Sequence, residues 1–153
     1  MSIFRLYKKQ FIPISVQEAW EFLSNPKNLK DITPPDMGFE VTSELPPKMY
    51  AGMIITYKVR PMLGIPVSWV TEITHVNEPY NFVDEQRFGP YSFWHHSHFI
   101  KPVDGGVEME DIVYYKLPFG FLGKLVEPFL VKPRLKQIFN YRWKVLEQRF
   151  PTK

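Results

Sequence analysis

Between Phe39 and Leu117 the chain runs through six short stretches rich in β-branched and aromatic residues, each closed by a turn signal; after Pro118 the pattern changes to helical spacing. That succession leaves few folds open. Strands that follow one another through short connections pair antiparallel, as a meander. A curved antiparallel sheet has one face to bury, and the amphipathic tail is the element long enough to cover it. In that tail Phe121, Leu122, Leu125, Val126 and Phe129, then Leu135, Ile138, Phe139, Arg142, Leu146 and Phe150, recur at helical spacing.

Ahead of the meander, Ile3 to Ile14 reads as a first strand ending near Pro13. Ser15-Val16-Gln17-Glu18 has the form of a capping box, and Val16, Ala19, Trp20 and Leu23 continue a helix from it. Asn25-Pro26 ends that helix or begins a second short one with Leu29 and Ile32 inward. The later strands are Phe39 to Leu45, Gly52 to Val59, Val67 to Val76, Asn81 to Phe88, Ser92 to Pro102 and Val107 to Leu117. Pro128 and Pro133 should kink or break the terminal helix near its middle.

The chain of 153 residues fits one domain, 1–153. Hydrophobic residues at 44% and charged residues at 23% are those of a packed globular protein. The net charge of +3 comes from bases dispersed among sixteen acids, with Lys8-Lys9 the longest basic cluster, so no nucleic-acid partner is expected. Without cysteine there is no disulfide, thiol nucleophile or thiolate metal site. Arg5, Lys8 and Lys9 interrupt what would have to be an apolar leader, and Leu117 to Val131 is broken by Pro118, Lys124, Glu127 and Pro128. A cytoplasmic protein with no transmembrane segment is the expectation, as a monomer or homodimer.

The order strand, two short helices, six strands and long helix, with "PISVQEAWEFLSNPKNL" after the first strand, resembles the START/Bet v 1-like (SRPBCC) superfamily over essentially the whole length. "FVDEQRFGPYSFWHHSHF", "GGVEMEDIVYYKLPFG" and "IFNYR" are similar to a bacterial ligand-binding branch whose ligand is generally unassigned. The resemblance implies an α+β helix-grip fold, a curved seven-stranded antiparallel sheet around the terminal helix, with a hydrophobic cavity between them. It implies as partner an apolar or amphipathic small molecule such as a lipid, sterol or polyketide, and no cofactor.

Polar residues on the apolar face give that cavity a candidate chemistry. A two-residue turn at Asp104-Gly105 opposes Val103 with Gly106, and counting back sets His98 opposite Asp111 and His96 opposite Val113. Trp94, His96, His98 and Ile100 then share the inward face with Val107, Met109, Asp111, Val113 and Tyr115. A three-residue connection at Gly89-Pro90-Tyr91 would oppose Asp84 with His96 and Gln86 with Trp94. With Trp69, Phe139 and Arg142 added, the candidate ligand-binding wall is Trp69, Asp84, Gln86, Trp94, His96, His98, Met109, Asp111, Tyr115, Phe139 and Arg142.

Three roles stay open for the His–Asp row: a self-satisfied polar cluster that fixes the sheet, anchors that orient a ligand, or acid–base catalysis by His96 or His98 with Asp84 or Asp111. His-x-His on one strand face is also a metal-ligand spacing, but spacing alone is weak evidence and no metal is expected. For Arg142 the commoner reading is a side chain snorkelling at the helix edge. For Phe119 to Val131 it is plain core packing, with a lid, a dimer surface and a membrane-touching patch as alternatives. A regulatory or chaperone-like interaction domain is the remaining reading. Neither a Walker phosphate loop nor a nucleophile elbow is present.

Overall fold

The computed structural model describes residues 2–152. Strand β1 (Phe4–Ile12) leads to helix α1 (Val16–Leu23) and two 3-10 turns, Pro26–Leu29 and Pro35–Met37. Strands β2 (Glu40–Val41), β3 (Met53–Val59), β4 (Val67–Asn77), β5 (Asn81–Phe88), β6 (Phe93–Val103) and β7 (Gly106–Lys116) follow. The chain ends in a nearly unbroken helical run: α2 (Gly120–Val126), a π-helical turn (Glu127–Val131) and α3 (Lys132–Arg149). The seven strands form one antiparallel sheet in the order β1-β7-β6-β5-β4-β3-β2.

Local chemistry sets the ends of these elements. The Ser15 hydroxyl accepts from the Glu18 amide at 3.2 Å while the Glu18 carboxylate accepts from the Ser15 amide at 3.0 Å, so α1 begins on a complete capping box. Gly105, with φ of +78°, makes the β6–β7 turn, and next to it Gly106 has the Ile12 carbonyl where any Cβ would stand. The hairpin therefore sits tight against the end of β1.

Two expectations are corrected. Strand two is far shorter than Phe39 to Leu45, because the Thr42 and Ser43 amides both turn to the single Thr56 carbonyl, at 2.8 and 3.3 Å, and the ladder ends there. The expected break of the terminal helix at its prolines is instead a local change of winding: Pro128 lies in a π turn and Pro133 in the first turn of α3, and the helical run continues through both.

The buried side chains form two clusters under the sheet. Trp20, Phe22, Met53, Phe82, Ile100 and Leu146 belong to one, beneath α1 and the end of α3; Phe39, Trp69, Trp94, Tyr115, Leu135 and Phe139 belong to the other. No helix among the described residues is long and apolar enough to cross a membrane.

Candidate functional site

Between the concave face of the sheet and α3 lies a cavity of about 190 Å³. Ile55, Tyr57, Trp69, Ile73 and Phe82 come to its wall from the strands, Phe22, Leu29 and Ile32 from the amino-terminal helical elements, and Leu135, Ile138 and Phe139 from α3. Asn25 on the rim is exposed, and Asn28, Leu29 and Ile138 beside it are half-buried, so the opening lies between the first 3-10 turn and α3. Such a wall, apolar with few polar groups, is the usual make-up of a small-molecule site.

The polar groups sit where the two core clusters meet. The β6–β7 register places His98 opposite Asp111 and His96 opposite Val113, and β5 sets Asp84 opposite His96. His96 and His98 share the inward face two residues apart, with ring centroids 3.7 Å apart. His98 stacks on Phe82 at 4.1 Å and His96 meets Phe139 edge-on at 5.5 Å. His98 Nε2 donates to Asp84 Oδ2 at 2.7 Å, and His96 Nε2 donates to Asp111 Oδ1 at 3.0 Å. From α3, Arg142 Nη1 reaches the same Asp111 oxygen at 3.1 Å.

Burial and pairing oppose one another inside this cluster. Burial works against the Asp111 carboxylate, yet Arg142 and the two imidazoles hold its pKa well below the usual range. Asp84 is lowered in the same way, burial being outweighed by His96 and His98. Burial also opposes a charged His98, but Asp111 and Asp84 prevail and its pKa is raised. For His96, burial and the charge of His98 win, and its pKa is lowered. Arg142, and His98 when it is protonated, offset the two carboxylates, and His96 gives up its proton more readily than His98.

Opposite shifts on the two histidines have opposite linkage. The raised His98 stabilises the fold fully below the ordinary 6.5, and its contribution is lost as pH rises through its folded pKa. The lowered His96 stabilises above 6.5, and its contribution is lost as pH falls toward its folded pKa. The two aspartates lose theirs only as pH falls below 3.8. Thermal stability is therefore expected to peak close to pH 6.5, with the alkaline fall removed by His98→Gln. Melting temperatures scanned from about pH 5 to about pH 9 check this, and a flat wild-type profile above the peak contradicts it.

Of the residues read from sequence, Trp69, Asp84, Trp94, His96, His98, Phe139 and Arg142 line the cavity. Four do not. Gln86 lies beyond the last β5–β6 pair at Glu85–His95, so it never opposes Trp94; its amide instead donates to the Tyr91 carbonyl at 2.6 Å and accepts from the Tyr91 amide at 3.1 Å, clamping the turn. Asp111 stands behind the histidines, Met109 packs in the core, and the Tyr115 hydroxyl donates to Glu127 at 2.6 Å. Burial first, then the bond to Glu127, pushes the Tyr115 phenol up.

Arg142 does not snorkel. It is buried, drawn inward by Asp111. Nor does Phe119 to Val131 pack as core throughout: Gly123, Glu127 and Val131 face inward, while Phe119, Phe121, Leu122, Leu125 and Phe129 are exposed. Wall residues from β3 and from the second 3-10 turn, such as Ile55, Tyr57 and Met37, were missed, because inward alternation alone does not separate wall from core.

Asp84, His96 and His98 each offer one ligand atom, all within 4.8 Å of one another. His98 Nε2, His96 Nε2 and the Asp84 carboxylate are already spent on one another and on Asp111, so a cation would have to open those bonds and displace the charge of His98. The arrangement fits a hydrogen-bond network better than a metal centre.

Compared by sequence, the chain matches no protein-family model and no curated protein. Compared by structure, it is similar to ginseng major latex-like protein 151 from Panax ginseng, with TM-score 0.70 and 11% identity over 98% of this chain and 99% of that one. A point mutant of norcoclaurine synthase from Thalictrum flavum, in complex with a transition-state analogue, matches with TM-score 0.67 and 15% identity over 97% and 96%. A protein from Thermus thermophilus matches with TM-score 0.67 and 18% identity over 96% and 97%. These likenesses, together with the seven-stranded antiparallel sheet and the long carboxy-terminal helix, establish that the chain has the START/Bet v 1-like helix-grip fold.

Proposed function

We propose that the cavity binds one amphipathic small molecule of the lipid, sterol or polyketide kind, apolar over most of its surface and carrying a hydrogen-bond acceptor. One observation carries this reading. Among the described residues, the buried side-chain polar atoms without a hydrogen-bond partner are Trp69 Nε1, His98 Nδ1 and Arg142 Nε, and all three residues line the cavity. His98 Nδ1 is turned to Asp111 Oδ1 at 3.1 Å, so the donors left for a ligand are those of Trp69 and Arg142. A buried donor left unmade costs about 1–3 kcal/mol, and a carbonyl or carboxylate oxygen entering the cavity would recover part of that. The aromatic and aliphatic wall would supply affinity at about 25 cal/mol per Å² of apolar ligand surface covered.

Calorimetric titration with fatty acids, sterols and aromatic polyketides tests the reading. The tightest ligand of that panel should bind Trp69→Phe about five- to ten-fold more weakly, the worth of one hydrogen bond, while its analogue lacking the oxygen binds both proteins alike. Equal affinity of the oxygenated ligand for both proteins would count against a donor role for Trp69.

A catalytic role for the same row has less support. His96 is the imidazole whose pKa is lowered, but its Nε2 donates to Asp111 and its Nδ1 faces Asp84 Oδ2 at 3.4 Å, so its basic nitrogen points at a carboxylate. Proton abstraction by His96 would first require that contact to open.

A further inference from the structure

Outside the cavity, the feature with the least structural explanation is the apolar crest of α2 and the π turn. Phe119 is 81% exposed, Phe121 73%, Leu122 66% and Phe129 83%. Across a groove lined by Leu130, Leu63 and Met62 together with Asp36, Arg60 and Arg134 stands the β3–β4 loop, whose Leu63 is 78% and Ile65 58% exposed. Arg134 ties that loop to α3 through the Pro61 carbonyl at 2.8 Å, so loop and crest form one surface. Leu63 and Phe119 hold φ of +54° and +65°, a region that bulky residues seldom occupy. Large apolar side chains are here turned outward at a conformational cost.

The segment that carries the crest is strongly basic, and the acid beside it, Asp36, is paired with Arg134. From Leu117 through Leu146 there are six bases and a single acid, whereas the rest of the chain carries thirteen bases and fifteen acids. The single acid, Glu127, is buried against the Tyr115 hydroxyl and leaves the surface without a negative group from this segment. Two of the six bases are engaged, Arg142 with Asp111 and Arg134 with Asp36 at 2.7 Å. The other four, Lys124, Lys132, Lys136 and Lys144, are exposed, the first three nearest the crest, and Lys116 joins Phe121 and Lys124 around a second groove.

We propose that this face docks reversibly on an anionic lipid bilayer, with Phe121, Phe129 and Leu63 entering the headgroup layer and Lys124, Lys132 and Lys136 meeting the lipid phosphates. Aromatic and leucine side chains rimmed by lysine match a layer that is apolar below and negative above. A second copy of the chain fits worse, since a two-fold contact through this face would bring like charges together. The docking stands on surface observations alone and holds whether or not the cavity is a ligand site.

Sedimentation of the full chain with phosphatidylcholine vesicles, and with vesicles in which part of that lipid is replaced by phosphatidylglycerol, tests the proposal. Binding to the anionic vesicles alone is expected, weakened by salt. The triple variant Lys124→Gln/Lys132→Gln/Lys136→Gln should bind about a hundred-fold more weakly, roughly five-fold per lysine. Phe121→Ser/Phe129→Ser should abolish binding, and because both positions are exposed the variant should keep the wild-type melting temperature. Failure to bind anionic vesicles would overturn the proposal, as would binding unaffected by either set of substitutions. So would a dimer that the Phe121→Ser/Phe129→Ser variant dissolves while neither protein binds vesicles, which would assign the face to protein contact.

Discussion

Replacing Arg142 with methionine should destabilise the protein by about 3–5 kcal/mol, the cost of leaving a buried carboxylate without its cation. Asp111 is 8% exposed and Arg142 9%, so water screens neither. Among the described residues the guanidinium is the one cation paired with Asp111 whose charge does not depend on pH near neutrality, since the charge of His98 does and is turned to two aspartates. Methionine keeps the length and apolar contacts of the arginine stem, which isolates the charge. The second half of a double-mutant cycle separates ion pairing from lost packing. Asp111→Asn in the Arg142→Met background should cost far less than it does alone, with a coupling on the order of 0.5–3 kcal/mol. Urea unfolding of the four proteins reads this out; additive losses would mean that the two side chains act independently.

Ile138→Trp should reduce affinity for any cavity ligand at least about ten-fold, equivalent to 1.4 kcal/mol, with a smaller effect on folding. Ile138 lies on α3, half-buried at the opening, where an indole would occupy ligand space rather than filled core. Overpacking a filled interior typically costs about 1–3 kcal/mol, so a melting temperature close to wild type would place the new ring in open volume. Titration of both proteins with the same ligand measures the loss, and unchanged affinity would place the ligand somewhere else.

The parts of the site that the sequence made legible are those fixed by local turn chemistry. Asp104-Gly105 sets a two-residue turn, and from it the pairing of His98 with Asp111 follows by counting. The capping box at Ser15 marks the start of α1 in the same way. Where register depends on irregularity, pattern reading stops. Strand β4 carries register shifts between Val70 and Thr71 and between Ile73 and His75, and pairing of β5 with β6 ends at Glu85, so the destination of Gln86 had no sequence signal. Arg142 was misread because a helix-edge arginine ordinarily keeps its head in water, and its partner is 31 residues away on another element. Helical spacing in α2 showed an apolar stripe and could not show that nothing covers it. Glu127 had a clue in retrospect: a lone acid within a basic apolar stretch, with an inward tyrosine to receive it.

Native mass spectrometry of the protein, purified without detergent and then incubated with the same panel of fatty acids, sterols and aromatic polyketides, decides whether the cavity holds a ligand. One small molecule per chain is expected on the wild type and little or none on Ile138→Trp. A wild-type spectrum at the bare polypeptide mass throughout, or an adduct that Ile138→Trp retains in full, would contradict binding in the cavity.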